Sequence, residues 1–180
     1  MSDGRVWYFA YGSNMQAATF RGRRGIEPLR ALAARLPGWR LVLDKPPLVP
    51  VGEGFANIVP HPGAEVLGVL YRLDGADWEH VELTEGVRID NYRTVTARVS
   101  ALATPAVEVD AFTLVSERRD ATLRPSLRYM ACMIAGAEEH GLPAEYVAFL
   151  RGVAAEPETA EAAAFRPLLD EALRRRGSPS

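Results

Sequence analysis

The sequence predicts an α+β fold, with an antiparallel or mixed sheet that is either open or rolled into a barrel. Two observations point there. Segments rich in β-forming or alternating residues are spread over about Val6 to Val115, and from Ser126 onward apolar residues recur at helical intervals. Regular strand–helix alternation is missing, which disfavours a doubly wound nucleotide-binding fold.

Val6-Trp7-Tyr8-Phe9-Ala10-Tyr11 has the aromatic and β-branched residues of a first strand, ending at Gly12-Ser13-Asn14. Asn14 suits the N-cap of a short helix from Met15 to about Phe20. Trp39 to Leu43 alternates as a strand, and Pro46 to Gly54 is a loop punctuated by prolines and glycines. Ala56 to Pro60 is a short strand closed by Pro62-Gly63. Val66 to Tyr71 is apolar enough to be a buried one. Asp74 can cap a helix from about Ala76 to Leu83. Tyr92–Leu102 and Val107–Val115 read as neighbouring strands. Leu127, Met130, Met133 and Ile134 mark a helix that ends near Gly141. Pro143 opens another through Leu150, and Phe165, Leu168, Leu169 and Leu173 mark a last one. Arg174 to Arg176 suit its negative C-terminal end, and 177–180 is a frayed tail.

A chain of 180 residues can bury a proper core, and no linker or repeat divides it. A net charge of -2 gives no bias towards nucleic acid or an anionic membrane. No apolar run is long enough to span a bilayer, and the N-terminus lacks a signal-peptide layout. With Cys132 as the sole cysteine, an intrachain disulfide is impossible. His61, His80 and His140 lack the spacing of a zinc site.

Three constellations can carry chemistry. In Tyr8 to Met15 a strand enters a tight glycine turn where a helix can begin. Successive N–H groups in such a turn suit an anion, although Gly-Ser-Asn is also ordinary turn chemistry. Glu85 sits at a helix C-terminus, just before Gly86. That is an electrostatically unfavourable place for an acid, which can then be partly buried with a raised pKa, as a general acid–base needs. An exposed surface glutamate is the plainer reading. Third, Arg124 to Tyr129 leads into an apolar helix, where Tyr129 either offers a hydroxyl or packs. Cys132 looks like a core residue, since His140 is too far along the helix to serve it as a base. The basic cluster Arg21-Gly22-Arg23-Arg24-Gly25 reads as a solvated loop.

Together these pieces resemble the γ-glutamylcyclotransferase family. The residues that carry the resemblance are Tyr8 to Met15, Ala56 to Pro60, Glu65 to Tyr71, Glu85-Gly86-Val87 with Tyr92, Pro125-Ser126 with Tyr129, and Gly141 to Tyr146. The resemblance covers about Val6 to Leu150 and implies one domain over 1–180, a small β-barrel flanked by helices, with its C-terminal helices within 126–176. It implies an enzyme that converts a γ-glutamyl amide into 5-oxoproline and a free amine, with Glu85 as acid–base. Tyr11, Gly12, Ser13, Asn14 and Met15 would hold the glutamyl α-carboxylate, with Tyr92 and Tyr129 lining the pocket. Asn14 looks more like the branch acting on γ-glutamyl amino acids, because the glutathione-specific branch usually has Leu there. Two departures stand out. The family often has Gly where Asp90 stands, and a glycine pair where Glu53-Gly54 occurs.

No cofactor or metal is expected. The expected partner is a small-molecule γ-glutamyl substrate, without nucleic acid or membrane, for a cytoplasmic monomer or homodimer. The rivals are a non-catalytic sensor of a small acidic ligand and an amide hydrolase that releases glutamate.

Overall fold

A computed structural model describes residues 4–103 and 106–174. Strands β1 (Arg5–Ala10), β2 (Arg30–Lys45), β3 (Phe55–Asp74), β4 (Arg93–Ala101) and β5 (Glu108–Val115) form a closed barrel in the order β1-β3-β2-β4-β5. All neighbours are antiparallel except β1 and β5, which close the barrel in parallel at Tyr8 and Phe112. Closure removes the sheet edges that would otherwise invite other strands.

The two short strands expected at Ala56–Pro60 and Val66–Tyr71 are one continuous β3. The chain bulges at residues 61–64, of which 61–63 are exposed, so Trp39 pairs with Pro60 while Pro37 pairs with Glu65. The expected strand at Trp39–Leu43 is likewise the far half of β2, whose first half is the alanine-rich Arg30-Ala31-Leu32-Ala33-Ala34. Pairing with β3 and burial of Ala34 and Leu36 override the weak strand preference of alanine there. The adjacent strands expected from Tyr92 and Val107 are β4 and β5, in register from Arg93–Val115 to Ser100–Glu108. Phe9, Val69, Leu70, Leu36, Val99 and Ala111 fill the interior.

Helix α1 (Gly75–Glu85) follows β3 directly. After β5 come α2 (Leu127–Glu139), α3 (Ala144–Arg151) and α4 (Ala160–Leu173). Ser126 caps α2, its hydroxyl accepting from the Tyr129 amide at 3.1 Å. That helix lies directly on the turn after β1: a Cβ at Gly136 would stand 2.6 Å from the backbone of Met15 and Gln16. Arg174 caps α4. Arg175, Arg176 and the tail lie outside the described residues.

The short helix expected from Met15 to Phe20 with Asn14 as N-cap is corrected. Ser13–Met15 is a single 3-10 turn that starts after Gly12, and Ala18–Arg23 is a wider π turn. In the π turn the Arg24 amide reaches back five residues to the Thr19 carbonyl, at 3.2 Å. Asn14 does not cap, because its side chain is drawn into the interior instead.

Candidate active site

At one end of the barrel lies a cavity of about 260 Å³. Its walls come from the turn after β1, the loop between β2 and β3, the end of α1, the start of α2, and α4. Tyr11, Gly12, Ser13, Asn14, Glu85, Tyr92 and Tyr129 all line it, so residues far apart in the chain converge there. Met15 is fully buried beneath the turn and does not line the cavity.

Gly12 is required for space. Its φ of -113 is open to any residue, but a Cβ there would meet the Tyr129 hydroxyl at 3.0 Å and the Ala56 methyl at 3.2 Å. Within the turn the Met15 amide donates to the Gly12 carbonyl at 3.0 Å and the Gln16 amide to that of Ser13 at 3.1 Å. The amides of Ser13 and Asn14 precede these, and Ser13 lies against the Tyr129 hydroxyl.

Glu85 is the last residue of α1. Gly86 ends the helix at φ 73, a left-handed conformation that glycine adopts without a Cβ clash. Asp90 takes the same region at φ 55, where aspartate is among the few tolerated side chains. The glycine common in the family at that position would adopt this backbone freely.

The Glu85 side chain keeps 18% exposure towards the cavity. It is partly buried, as expected, but it is not isolated. Its Oε1 accepts from the Asn14 amide at 2.9 Å and pairs with the Arg24 guanidinium. Arg24 also donates to Asn14 Oδ1 at 2.9 Å and to the Thr84 hydroxyl. The solvated-loop reading of the basic cluster thus fails at Arg24, whose side chain is 5% exposed. It holds for Arg21, which pairs with Glu27 in solvent, while Arg23 reaches Asp170 of α4.

A second network ties down the chain beyond Glu85. Asn91 donates to the Glu85 carbonyl at 2.9 Å and accepts from Lys45 at 2.5 Å and Arg118 at 2.9 Å. The Lys45 ammonium also sits 4.4 Å from the centre of the Tyr92 ring. Burial first, then the Arg118 charge, lowers Lys45 to about 8, with Glu85 opposing. Between about 8 and its ordinary 10.5, the unfolded chain holds a proton that the folded chain has shed. Stability supplied by this residue therefore rises with pH across that window. The urea midpoint of the wild type should increase more between roughly pH 8 and pH 9.5 than that of Lys45→Met. Equal increments would show that Lys45 titrates normally.

Four tyrosine hydroxyls, from Tyr8, Tyr11, Tyr92 and Tyr129, line the cavity. Burial above all, with the Glu85 charge contributing, pushes each of them up, Tyr129 to about 12. They stay protonated near neutral pH and act as hydroxyl groups. Tyr11 donates to the Leu114 carbonyl at 2.5 Å and Tyr92 to the Ala56 carbonyl at 2.9 Å, so both brace the wall. Tyr8 accepts from Asn14 at 3.0 Å, which leaves its own proton to give, and Tyr129 accepts from the Ala56 amide at 3.2 Å and also bonds Ser13.

Cys132 also lines the cavity, but His140 bonds the Tyr71 hydroxyl at 3.3 Å on the buried side of the turn. Sequence reasoning missed Arg24, Lys45 and Asn91. Asn91 had one usable signal in the sequence, its place between Asp90, a departure from the family, and Tyr92.

Residues 65–150 match the AIG2-like family. The chain is 33% identical over 168 residues to the Gamma-glutamyl cyclotransferase aclK of Aspergillus oryzae, covering 83% of this chain and 61% of that protein. It is 28% identical over 152 residues to the Gamma-glutamylcyclotransferase of Bos taurus, covering 80% and 77%. The chain belongs to the γ-glutamylcyclotransferase family. A solved structure of a Gamma-glutamyl cyclotransferase shares the fold of this family member, with a TM-score of 0.77 at 23% identity over 93% of this chain and 99% of that one. The chain spans about three fifths of the Aspergillus relative's length.

Proposed function

We propose that this chain converts a γ-glutamyl amide, of an amino acid or an amine, into 5-oxoproline and the free amine. The supporting observation is Glu85, a carboxylate open to the cavity beside the Gly12–Met15 turn and held in place by Arg24 and Asn14. The substrate brings its own nucleophile. Its α-amine closes on the γ-carbonyl carbon in a five-membered ring, and the bond to the leaving nitrogen breaks.

Over the reaction two protons leave the α-nitrogen and two arrive on the leaving nitrogen. Glu85 takes one from the α-ammonium, which frees the lone pair for attack, and passes it to the leaving nitrogen as that bond breaks. The second proton follows the same way, so no other acid or base is consumed. The turn from Gly12 to Met15 holds the α-carboxylate through the amides it leaves free, fixing the substrate in a bent shape ready to cyclise. Tyr129, which bonds Ser13 of that turn, turns its hydroxyl to the oxygen that gains negative charge.

The test is 5-oxoproline release from a panel of γ-glutamyl amino acids, γ-glutamyl amines and glutathione. Lactam with stoichiometric free amine is expected. Free glutamate instead would mean hydrolysis. Binding of 5-oxoproline without turnover of any panel member would mean a sensor.

A further inference from the structure

Arg24 and Asn14 hold Glu85 by its carboxyl group, which fixes the tip of a side chain that still turns about several bonds. The backbone that carries it is the last residue of α1, where carbonyl groups run out of partners within the helix. Asn91 takes over there. Its side-chain Nδ2 donates to the Glu85 carbonyl at 2.9 Å, and its main-chain amide donates to the Gly86 carbonyl at 3.0 Å. Asn91 is itself tied to the residue after β5, its own carbonyl accepting from the Ser116 hydroxyl at 2.7 Å. Gly86 leaves room for this approach, since a Cβ there would stand 3.0 Å from the Asn91 Cβ.

The two ends of an amide have nearly the same shape, and the partners decide which way it faces. Lys45 and Arg118 can only donate, so Asn91 Oδ1 faces them and Nδ2 is turned to the Glu85 carbonyl. The two cations are placed in turn by the Pro46 carbonyl at 3.0 Å and the Pro47 carbonyl at 3.2 Å. Only an amide of this length meets both demands. Aspartate would set a carboxylate oxygen against the Glu85 carbonyl, and leucine would bond neither side. Two like charges on one neutral oxygen repel, so the arrangement is a poor way to fill space, but it locks the amide in one orientation. Both ends of the side chain are spent, and Asn91 reaches the chemistry only through Glu85.

We propose that Asn91 is a positioning residue, setting where the Glu85 carboxylate stands in the cavity by clamping the peptide that carries it. This rests on the function proposed above. Without the clamp the carboxylate is still present and can still ionise, but it stands off from the α-ammonium, and a displacement of about 1 Å can cost roughly a hundredfold. The Gly12–Met15 turn rests on its own backbone bonds, so substrate binding is spared.

The experiment measures 5-oxoproline release by the wild type, Asn91→Asp, Asn91→Leu, Glu85→Gln and the two double variants, on whichever panel amide the wild type turns over fastest. Each Asn91 variant should lose about ten- to a hundredfold in kcat, with KM and 5-oxoproline binding little changed. In the Glu85→Gln background the same substitutions should cost nothing further, because no proton-carrying carboxylate is left to place. A residue that is merely structural would add its loss to that of Glu85→Gln, so additive losses overturn the proposal. So does a melting temperature well below the wild type's in both Asn91 variants. A raised KM with kcat intact would make Asn91 a substrate contact, and a loss confined to Asn91→Asp would be an effect of charge; either result overturns it too. Lactam from the wild type with kcat unaltered in both Asn91 variants removes this assignment alone. No lactam from any panel amide removes the proposed function, and the assignment falls with it.

Discussion

Glu85→Gln should leave a folded protein that still binds 5-oxoproline but loses about 10²- to 10⁴-fold in kcat, the usual worth of a positioned acid–base. Glutamine keeps the size of the side chain and can still accept from Asn14 and Arg24, so the turn and the end of α1 keep their places. It cannot take up a proton from the α-ammonium. Without that step the amine has no lone pair, and the leaving nitrogen departs unprotonated. The measurement is 5-oxoproline release by wild type and variant, with a circular dichroism spectrum to show that both are folded. Wild-type turnover in the variant would remove Glu85 from the mechanism and pass the proton role to another cavity group. Glu85→Asp sharpens the comparison. It keeps the carboxylate but withdraws it by one methylene, and a displacement of about 1 Å can cost roughly a hundredfold.

The order of elements was legible because burial imposes periodicities. β4 and β5 alternate, and α2 repeats apolar residues every three or four positions, as their burial in the barrel wall and on the core requires. Gly12, Glu85, Tyr92 and Tyr129 were legible as members of motifs, and they do meet at one cavity. The first half of β2 was not, because alanine carries little strand signal and the partner strand supplies the order. Gly12 was legible as part of a tight turn, but the constraint on it is the approach of Tyr129 and Ala56, long-range neighbours that no local pattern encodes. Asn14 failed as an N-cap for a similar reason, since its partners Tyr8, Arg24 and Glu85 come from three parts of the chain.

Arg24→Met should be the more damaging change for stability, because it leaves Glu85 buried without its cation. Breaking a buried pair by removing one partner costs roughly 3–5 kcal/mol. Glu85 keeps 18% exposure and the Asn14 bond, so the low end of that range, about 3 kcal/mol, is expected. For a chain of this length that corresponds to a melting temperature lower by about 6–12 °C. The double variant Arg24→Met, Glu85→Gln separates lost packing from stranded charge. With the carboxylate gone, much of the loss should return, so the two substitutions together should destabilise less than the sum of each alone. Additive losses would mean that Arg24 acts through its contacts with Asn14 and Thr84 and that its charge is incidental. Activity provides the other arm. Arg24 has no proton to pass in the proposed reaction; it holds Glu85 and, through Asn14, the turn proposed to receive the α-carboxylate. Its loss should therefore raise KM as well as lower kcat, whereas Glu85→Gln acts mainly on kcat.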